Sequence, residues 1–150
     1  MRLAAATLAD LDAIDEIERH SFPQPWPRAT FEAELARDHA RVIVACDPVV
    51  IGFCNYWLVA QELHVLAIAT HPDRRRGGVG RLLLDHALAE ARATRCRLAT
   101  LEVRRGNVPA IALYERAGFA TVHVRARYYQ DNDEDALVMV SQLGLSGSSP

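Results

Sequence analysis

Apolar residues recur along this chain with two periods, and each change of period marks a boundary between elements. Arg2 to Ala6 is a short run that reads as an edge strand. Behind Asp10, a candidate N-cap, Leu11, Ile14, Ile17 and Glu18 share one face of a helix that ends near His20. Pro23, Pro25 and Pro27 then break the helix and restart it, with Pro27 suited to a first turn. Arg41 to Cys46 and Val49 to Val59 are β-branched and aromatic runs around Asp47-Pro48, which predicts a hairpin. Glu62 to Thr70 is apolar on both faces and is expected to be a central, buried strand. From Gly78 or Val79 to about Arg95 the helical period returns. Leu84, Leu88 and Ala91 form one stripe there, and Arg81, Asp85 and Arg92 lie on another face. Arg97 to Val103 is the next strand, and so short a return from the helix implies that it runs parallel to the strand before it. Asn107 is expected to cap the helix PAIALYERA, which stops at Gly118. Phe119 to Tyr129 and Ala136 to Val140 are two further strands joined by the acidic loop QDNDED.

No repeat and no linker interrupts this series, so one domain over residues 1–143 is expected, with a disordered tail over 144–150. The 150 residues, 50% hydrophobic, are enough to bury a continuous core. No apolar run approaches the roughly 20 residues that span a bilayer. The opening MRLAAATLADLD turns acidic before a signal-peptide core forms, so the expectation is a soluble protein of the cytoplasm without a membrane partner. A net charge of −2 argues against direct nucleic-acid binding. Cys46, Cys54 and Cys96 lack CxxC spacing and read as buried free thiols, with no activating neighbour visible for an acyl-cysteine at Cys54 or Cys96. His64, His71 and His123 lack metal-ligand spacing, and no metal is expected.

The charge is uneven, and this directs attention to one stretch. Arg74, Arg75, Arg76 and Arg81 surround Gly77, Gly78 and Gly80, between an apolar strand and the start of a helix. A helix start carries unpaired backbone N–H groups and the positive end of the dipole, and glycine lets a ligand approach the backbone, so this order describes a site for a diphosphate. It has neither the GxxxxGK[ST] order of a P-loop nor the GxGxxG of a dinucleotide fold. One or two of the arginines are expected to attract the anion, with the rest solvated.

The pattern Arg75-x-x-Gly78-x-Gly80 resembles the acetyl-CoA signature [QR]xxGx[GA] of the GCN5-related N-acetyltransferases. The match narrows to the RimI-type ribosomal-protein-alanine N-acetyltransferases through four further blocks. They are the SF…PW…F segment at Ser21 to Phe31, the IA.HP turn at Ile68 to Pro72, LEVR..N..AI.LYE..GF from Leu101, and RYY followed by EDALVM. The resemblance covers nearly the whole chain. It departs from the pattern at Ala67, where relatives often carry Asn, at the extra Gly77, and in a shorter acidic loop.

The resemblance implies an α/β fold: a mixed, largely antiparallel sheet flanked by helices on both faces and splayed between Glu62–Thr70 and Arg97–Val103 to hold acetyl-CoA. It implies that the turn Arg75, Arg76, Gly77, Gly78, Val79, Gly80 and Arg81 cradles the pyrophosphate. Ile68, Ala69 and Thr70 would pair with the pantetheine arm, and Asn107 would support the same arm. Glu102 would be the general base and Tyr114 the general acid. Phe22, Trp26 and Tyr129 would meet the acceptor, a protein N-terminus and most specifically the N-terminal alanine of a small-subunit ribosomal protein. Assembly as a monomer or weak dimer is expected. Read from the residues alone, Phe22, Trp26 and Phe31 equally suit a seal over the core edge, Tyr114 suits a core position, and Glu102 suits a solvated strand face.

The chemistry gives these roles a reason. An α-amine, with a reference pKa near 8, loses its proton at smaller cost than lysine at about 10.4, so a protein N-terminus is the easier acceptor. Glutamate, near 4.3, is a poor direct base for an ammonium, which implies that Glu102 works through water or is buried in its apolar strand. Tyrosine, at about 10, can deliver a proton to a thiolate whose conjugate acid lies near 8.5. The acidic stretch Asp131 to Asp135 would help receive a basic peptide. A broader N-terminal, lysine or small-amine acetyltransferase uses the same donor site with another groove, and a non-catalytic acyl-CoA sensor needs the donor site alone.

Overall fold

The computed structural model describes residues 1–144, so the expected disordered tail lies outside the described residues from 145 onward. In chain order the elements are β1 (Arg2–Ala5), a 3-10 turn (Leu8–Asp10), α1 (Leu11–Ser21), α2 (Arg28–Leu35), β2 (Ala40–Cys46), β3 (Val50–Val59) and β4 (Glu62–Thr70). A second 3-10 turn (Pro72–Arg74) is followed by α3 (Val79–Ala93), β5 (Leu98–Arg104), α4 (Val108–Arg116), β6 (Ala120–Tyr129) and β7 (Glu134–Gln142). The strands form one open α/β sheet in the order β1-β2-β3-β4-β5-β7-β6. β4 and β5 are parallel, whereas β1–β2, β2–β3, β5–β7 and β6–β7 are antiparallel. β3 and β4 are joined by Ala60 and Gln61, both at positive φ, the backbone of a two-residue hairpin turn. Among the described residues no helix is long and apolar enough to cross a membrane.

The chain clusters into two compact units. The first holds Met1–Trp57 and Leu66–Ala87. Its apolar centre is Leu11, Ile14 and Ile17 from α1, Phe31 from α2, Val42, Val44 and Cys46 from β2, Phe53 from β3 and Ala69 from β4. Each large side chain buried there contributes about 1.5–3 kcal/mol, which outweighs the weak propensities of such short helices. Gly52 sits where a Cβ would lie 2.9 Å from Val79 Cγ1 and 3.0 Å from the Ala69 carbonyl oxygen. This bare backbone lets the first residue of α3 pack directly on β3. Asp10 holds the N-cap position of α1, as expected, although its carboxylate makes no cap bond there and instead accepts the Thr7 N–H at 2.8 Å, closing the preceding turn. Two local expectations shift. Pro27 occupies the N-cap position, one residue before the first turn of α2. β4 is central but only half buried from Leu66 to Ile68, since its parallel ladder runs from Glu62↔Leu98 to Val65↔Leu101 and then stops.

The second unit holds Leu58–Val65 and the chain from Leu88 onward. β5 alternates buried Ala99, Leu101 and Val103 with outward Thr100, Glu102 and Arg104, the period of a strand with one covered face. β7 lies between β5 and β6, and β6 is the exposed edge. α3 ends at Ala93, two residues before Arg95, which takes the left-handed φ of 64° as the chain turns toward β5. Asn107 Oδ1 accepts the Ala110 N–H at 3.3 Å and caps α4, as expected. Gly118, at φ 100°, follows the helix end, where a left-handed residue releases the chain into β6.

Candidate active site

In the first unit the glycine turn is built from backbone, and most of its arginines are already occupied. Arg74 pairs with Asp47 at 2.6 Å, and this contact holds the Asp47 carboxyl below its ordinary range. Arg75 Nε donates to the Thr70 carbonyl oxygen at 3.1 Å, and its NH2 group reaches Ser21 Oγ at 3.3 Å, which ties the end of β4 to the end of α1. Arg81 pairs with Asp85 one helical turn on, at 2.8 Å. Arg76 alone of the four makes no hydrogen bond or ion pair among the described residues, and it stands exposed at φ 68°. Arg74, Arg75 and Arg81 thus shape the turn and its helix, and Arg76 is the one left without an ion pair or hydrogen bond among the described residues.

Gly78 takes φ 82°, and a Cβ there would meet nothing within 4 Å, so its backbone faces open space. The first hydrogen bond after the turn runs from the Leu82 N–H to the Gly78 carbonyl at 3.0 Å. The amides of Val79, Gly80 and Arg81 precede it and have no intrahelical acceptor. Beside Gly78, Gly77 is exposed, whereas Val79 is buried and anchors the helix start. Ile68 and Thr70 are half buried, and Ala69 between them is buried. An exposed N-terminal edge with free amides, an open glycine and one unpaired guanidinium fits a diphosphate.

The aromatic loop of the same unit has a buried carboxylate behind it. Phe22 and Trp26 are half buried against the apolar centre, and the Trp26 ring lies 5.5 Å from Phe31. Glu18 is buried and accepts the Trp26 backbone N–H at 2.9 Å through Oε2, while Oε1 has no hydrogen-bond partner among the described residues. Burial pushes the Glu18 carboxyl above its ordinary range, and the Trp26 N–H opposes that rise. Trp26 and Phe22 thus meet the core with one side and keep the other accessible.

In the second unit, side chains dominate. Glu102 lies on the outward row of β5, a third exposed, and its Oε2 is 2.8 Å from Arg125 Nε on β6. Of the two alternatives for Glu102, burial in the apolar strand is not met, because the covered row of β5 is Ala99, Leu101 and Val103. The Arg125 guanidinium stands 5.2 Å from the Tyr128 ring, which meets Tyr129 edge-on. Tyr129 is half buried under the Arg104 guanidinium at 3.9 Å. Burial raises its phenol above the ordinary range, against the pull of Arg104. Tyr114 is 7% exposed on α4, with its ring centroid 5.9 Å from that of Phe119. Asn107 is exposed, its Oδ1 engaged in capping.

The acidic stretch is not a free receptor for a basic peptide. Asp131 pairs with Arg104 at 3.0 Å and Asp135 with Arg105 at 3.1 Å, and Glu134 accepts the Gly106 N–H at 2.6 Å. The Gly106 and Asn132 contacts hold Glu134 below the ordinary carboxyl range. These contacts latch the β6–β7 turn onto the end of β5.

Residues 11–119 match the acetyltransferase (GNAT) family. The chain belongs to this family. It is similar to the ribosomal protein bS18-alanine N-acetyltransferase of Escherichia coli, with 31% identity over 95% of this chain and 98% of that protein. The N-alpha-acetyltransferase RimI of Mycobacterium tuberculosis is 34% identical over 91% of this chain and 89% of its own length. The crystal structure of the E. coli ribosomal-protein-S18-alanine N-acetyltransferase superposes with a TM-score of 0.89 at 30% identity, covering 99% of this chain and 97% of that one.

As a GNAT acetyltransferase, the protein has an architecture that matches the resemblance stated from its motifs. Two features of this acetyltransferase escaped the sequence reading. Arg125 stands 23 positions from Glu102, and only the β5–β7–β6 register aligns them; the arginine-rich strand before Tyr128-Tyr129 was the available signal. Gly52 carried a legible signal, a lone glycine inside a β-branched strand. All three cysteines are buried, and burial pushes the Cys54 thiol far up, which removes it as a thiolate nucleophile.

Proposed function

We propose that the protein transfers an acetyl group from acetyl-CoA to the N-terminal α-amino group of a protein, the acceptor being the N-terminal alanine of a small-subunit ribosomal protein. The observation that carries the acceptor is end-to-end similarity to an enzyme of that name, at 30% identity and a TM-score of 0.89. The donor assignment rests on family membership and on the open, amide-rich start of α3. The exposed helix start binds the pyrophosphate, Arg76 adds an unpaired positive charge, and the backbone of Ile68–Thr70 pairs with the pantetheine arm, with Asn107 supporting it. Phe22, Trp26 and Tyr129 meet the peptide. The reaction takes place in the cytoplasm.

The reaction is a direct attack. The amine nitrogen forms a bond to the thioester carbonyl carbon, the carbon–sulfur bond breaks, and the nitrogen proton leaves. Glu102, exposed and ionically paired, receives that proton through water. The departing thiolate takes a proton from Tyr114. Competition between peptides tests the acceptor: an N-terminal alanine peptide is expected to exceed internal-lysine peptides and polyamines in kcat/KM. The reverse order would move the assignment to a lysine or small-amine acetyltransferase.

A further inference from the structure

From the Glu102–Arg125 pair and the aromatic support behind it, we infer that Arg125 is a positioning residue for the proton-accepting step, fixing the carboxylate of Glu102. The inference rests on Glu102 being the base. Glu102 Oε2 meets Arg125 Nε at 2.8 Å, while the side chains keep 33% and 50% of their accessible area. A half-exposed ion pair of this kind adds little to folding, so it is a poor stabilising device on an edge strand. Arg125 is nevertheless restrained, with its guanidinium 5.2 Å from the Tyr128 ring and Tyr128 set edge-on against Tyr129 at 5.2 Å. Tyr129 is in turn held under Arg104, which Asp131 and Glu134 bind. The latched β6–β7 turn therefore ends, through two tyrosine rings, on the arginine that holds Glu102. An otherwise free glutamate on an open strand face samples several rotamers, and a side chain tied at one oxygen presents the other in a defined direction.

Other charged groups share this face. His123 stands opposite Val138, which stands opposite Glu102. Arg104 occupies the next outward position of β5, and His64 lies beside Thr100 with its ring 3.1 Å from Glu62. Among the described residues only Arg125 makes an ion pair with Glu102.

The test compares Arg125→Ala, Arg125→Lys, Glu102→Gln and the double variant Glu102→Gln/Arg125→Ala, each measured for kcat, acetyl-CoA KM and Tm. Arg125→Ala is expected to lower kcat about tenfold, because an untied carboxylate no longer presents its free oxygen in one direction. Its acetyl-CoA KM and Tm should stay unchanged, and Arg125→Lys should restore most of kcat. In the Glu102→Gln background the Arg125→Ala effect should vanish, because the partner it acts through is gone. An unchanged kcat in Arg125→Ala, with Glu102→Gln still impaired, overturns the positioning role and leaves the base assignment standing. Wild-type behaviour of Glu102→Gln overturns the base assignment and the inference with it. An Arg125→Ala loss that persists in the Glu102→Gln background, or that is matched by a fall in Tm, makes Arg125 structural and also overturns it.

Discussion

The start of α3 and the outward face of β5–β7–β6 solve two problems by opposite means. At the first, function is assigned to backbone amides, and arginines brace the turn, Arg74 on Asp47 and Arg75 on Thr70 and Ser21. At the second, function is assigned to side chains, and the backbone serves to align Glu102, Arg104 and Arg125 across three strands. A site made of consecutive amides tolerates changed side chains but not a changed dihedral angle. A site made of side chains from two strands, set across a third, depends on register and on charge.

The largest effect expected from this contrast is at Gly78. Gly78→Asp places a carboxylate beside the phosphate position and forces a side chain onto φ 82°, where such strain costs roughly 1–3 kcal/mol. Titration calorimetry should show acetyl-CoA affinity falling by at least about tenfold, and an unchanged affinity removes the turn from the site. Next is Glu102→Gln, expected to lower turnover by about a hundredfold or more at neutral pH and much less at high pH, where the amine is already neutral. An equal loss across the range argues against proton transfer. Tyr114→Phe follows. It keeps the ring packed on Phe119, and turnover should drop by about tenfold or more while acetyl-CoA affinity holds. Undiminished turnover would favour an acyl-CoA sensor.

The same contrast decides what could be read from sequence. The glycine turn was legible because the residues that form it are neighbours in the chain and their spacing alone sets the helix start. The helical stripe at Leu84, Leu88 and Ala91 and the cap at Asn107 were legible for the same local reason. Asp10 was legible as the N-cap position of α1, but not the bond its carboxylate makes, because two consecutive turns compete for it and the Thr7 N–H takes it. Glu102 stayed open between a buried and a solvated position because an apolar run does not reveal which row of a strand is covered. The acidic loop misled because its partners Arg104 and Arg105 lie about 27 to 30 positions away. Charge that looks unpaired along the chain was neutralised across it.

Two smaller effects sharpen the acceptor side. Trp26→Ala should raise the acceptor KM while leaving the acetyl-CoA KM unaltered, with a stability loss below the roughly 3–5 kcal/mol of a fully buried tryptophan, since its ring is half exposed. Lost stability with an unmoved acceptor KM would make it purely a core residue. The smallest effect concerns Glu18, whose carboxyl is raised by burial. The folded state then binds its proton more tightly than the unfolded state does. Its contribution is unfavourable above the raised value, is relieved as pH falls through that value, and levels off below the unfolded value near 4.5. Relative to wild type, Glu18→Gln should therefore fare better at pH 7 than at pH 4.5 in paired thermal melts, and a constant difference would show that this carboxyl is not perturbed.

The central claim, acetyl transfer to an N-terminal α-amine, is tested most directly by intact-mass measurement and peptide mapping of small-subunit ribosomal proteins after incubation with the enzyme and acetyl-CoA. The account predicts one added acetyl group, located on the α-amine of an N-terminal alanine and absent when Glu102→Gln replaces the wild-type enzyme at neutral pH. Acetyl groups found on lysine side chains, with the N-terminal peptide unmodified, would contradict it.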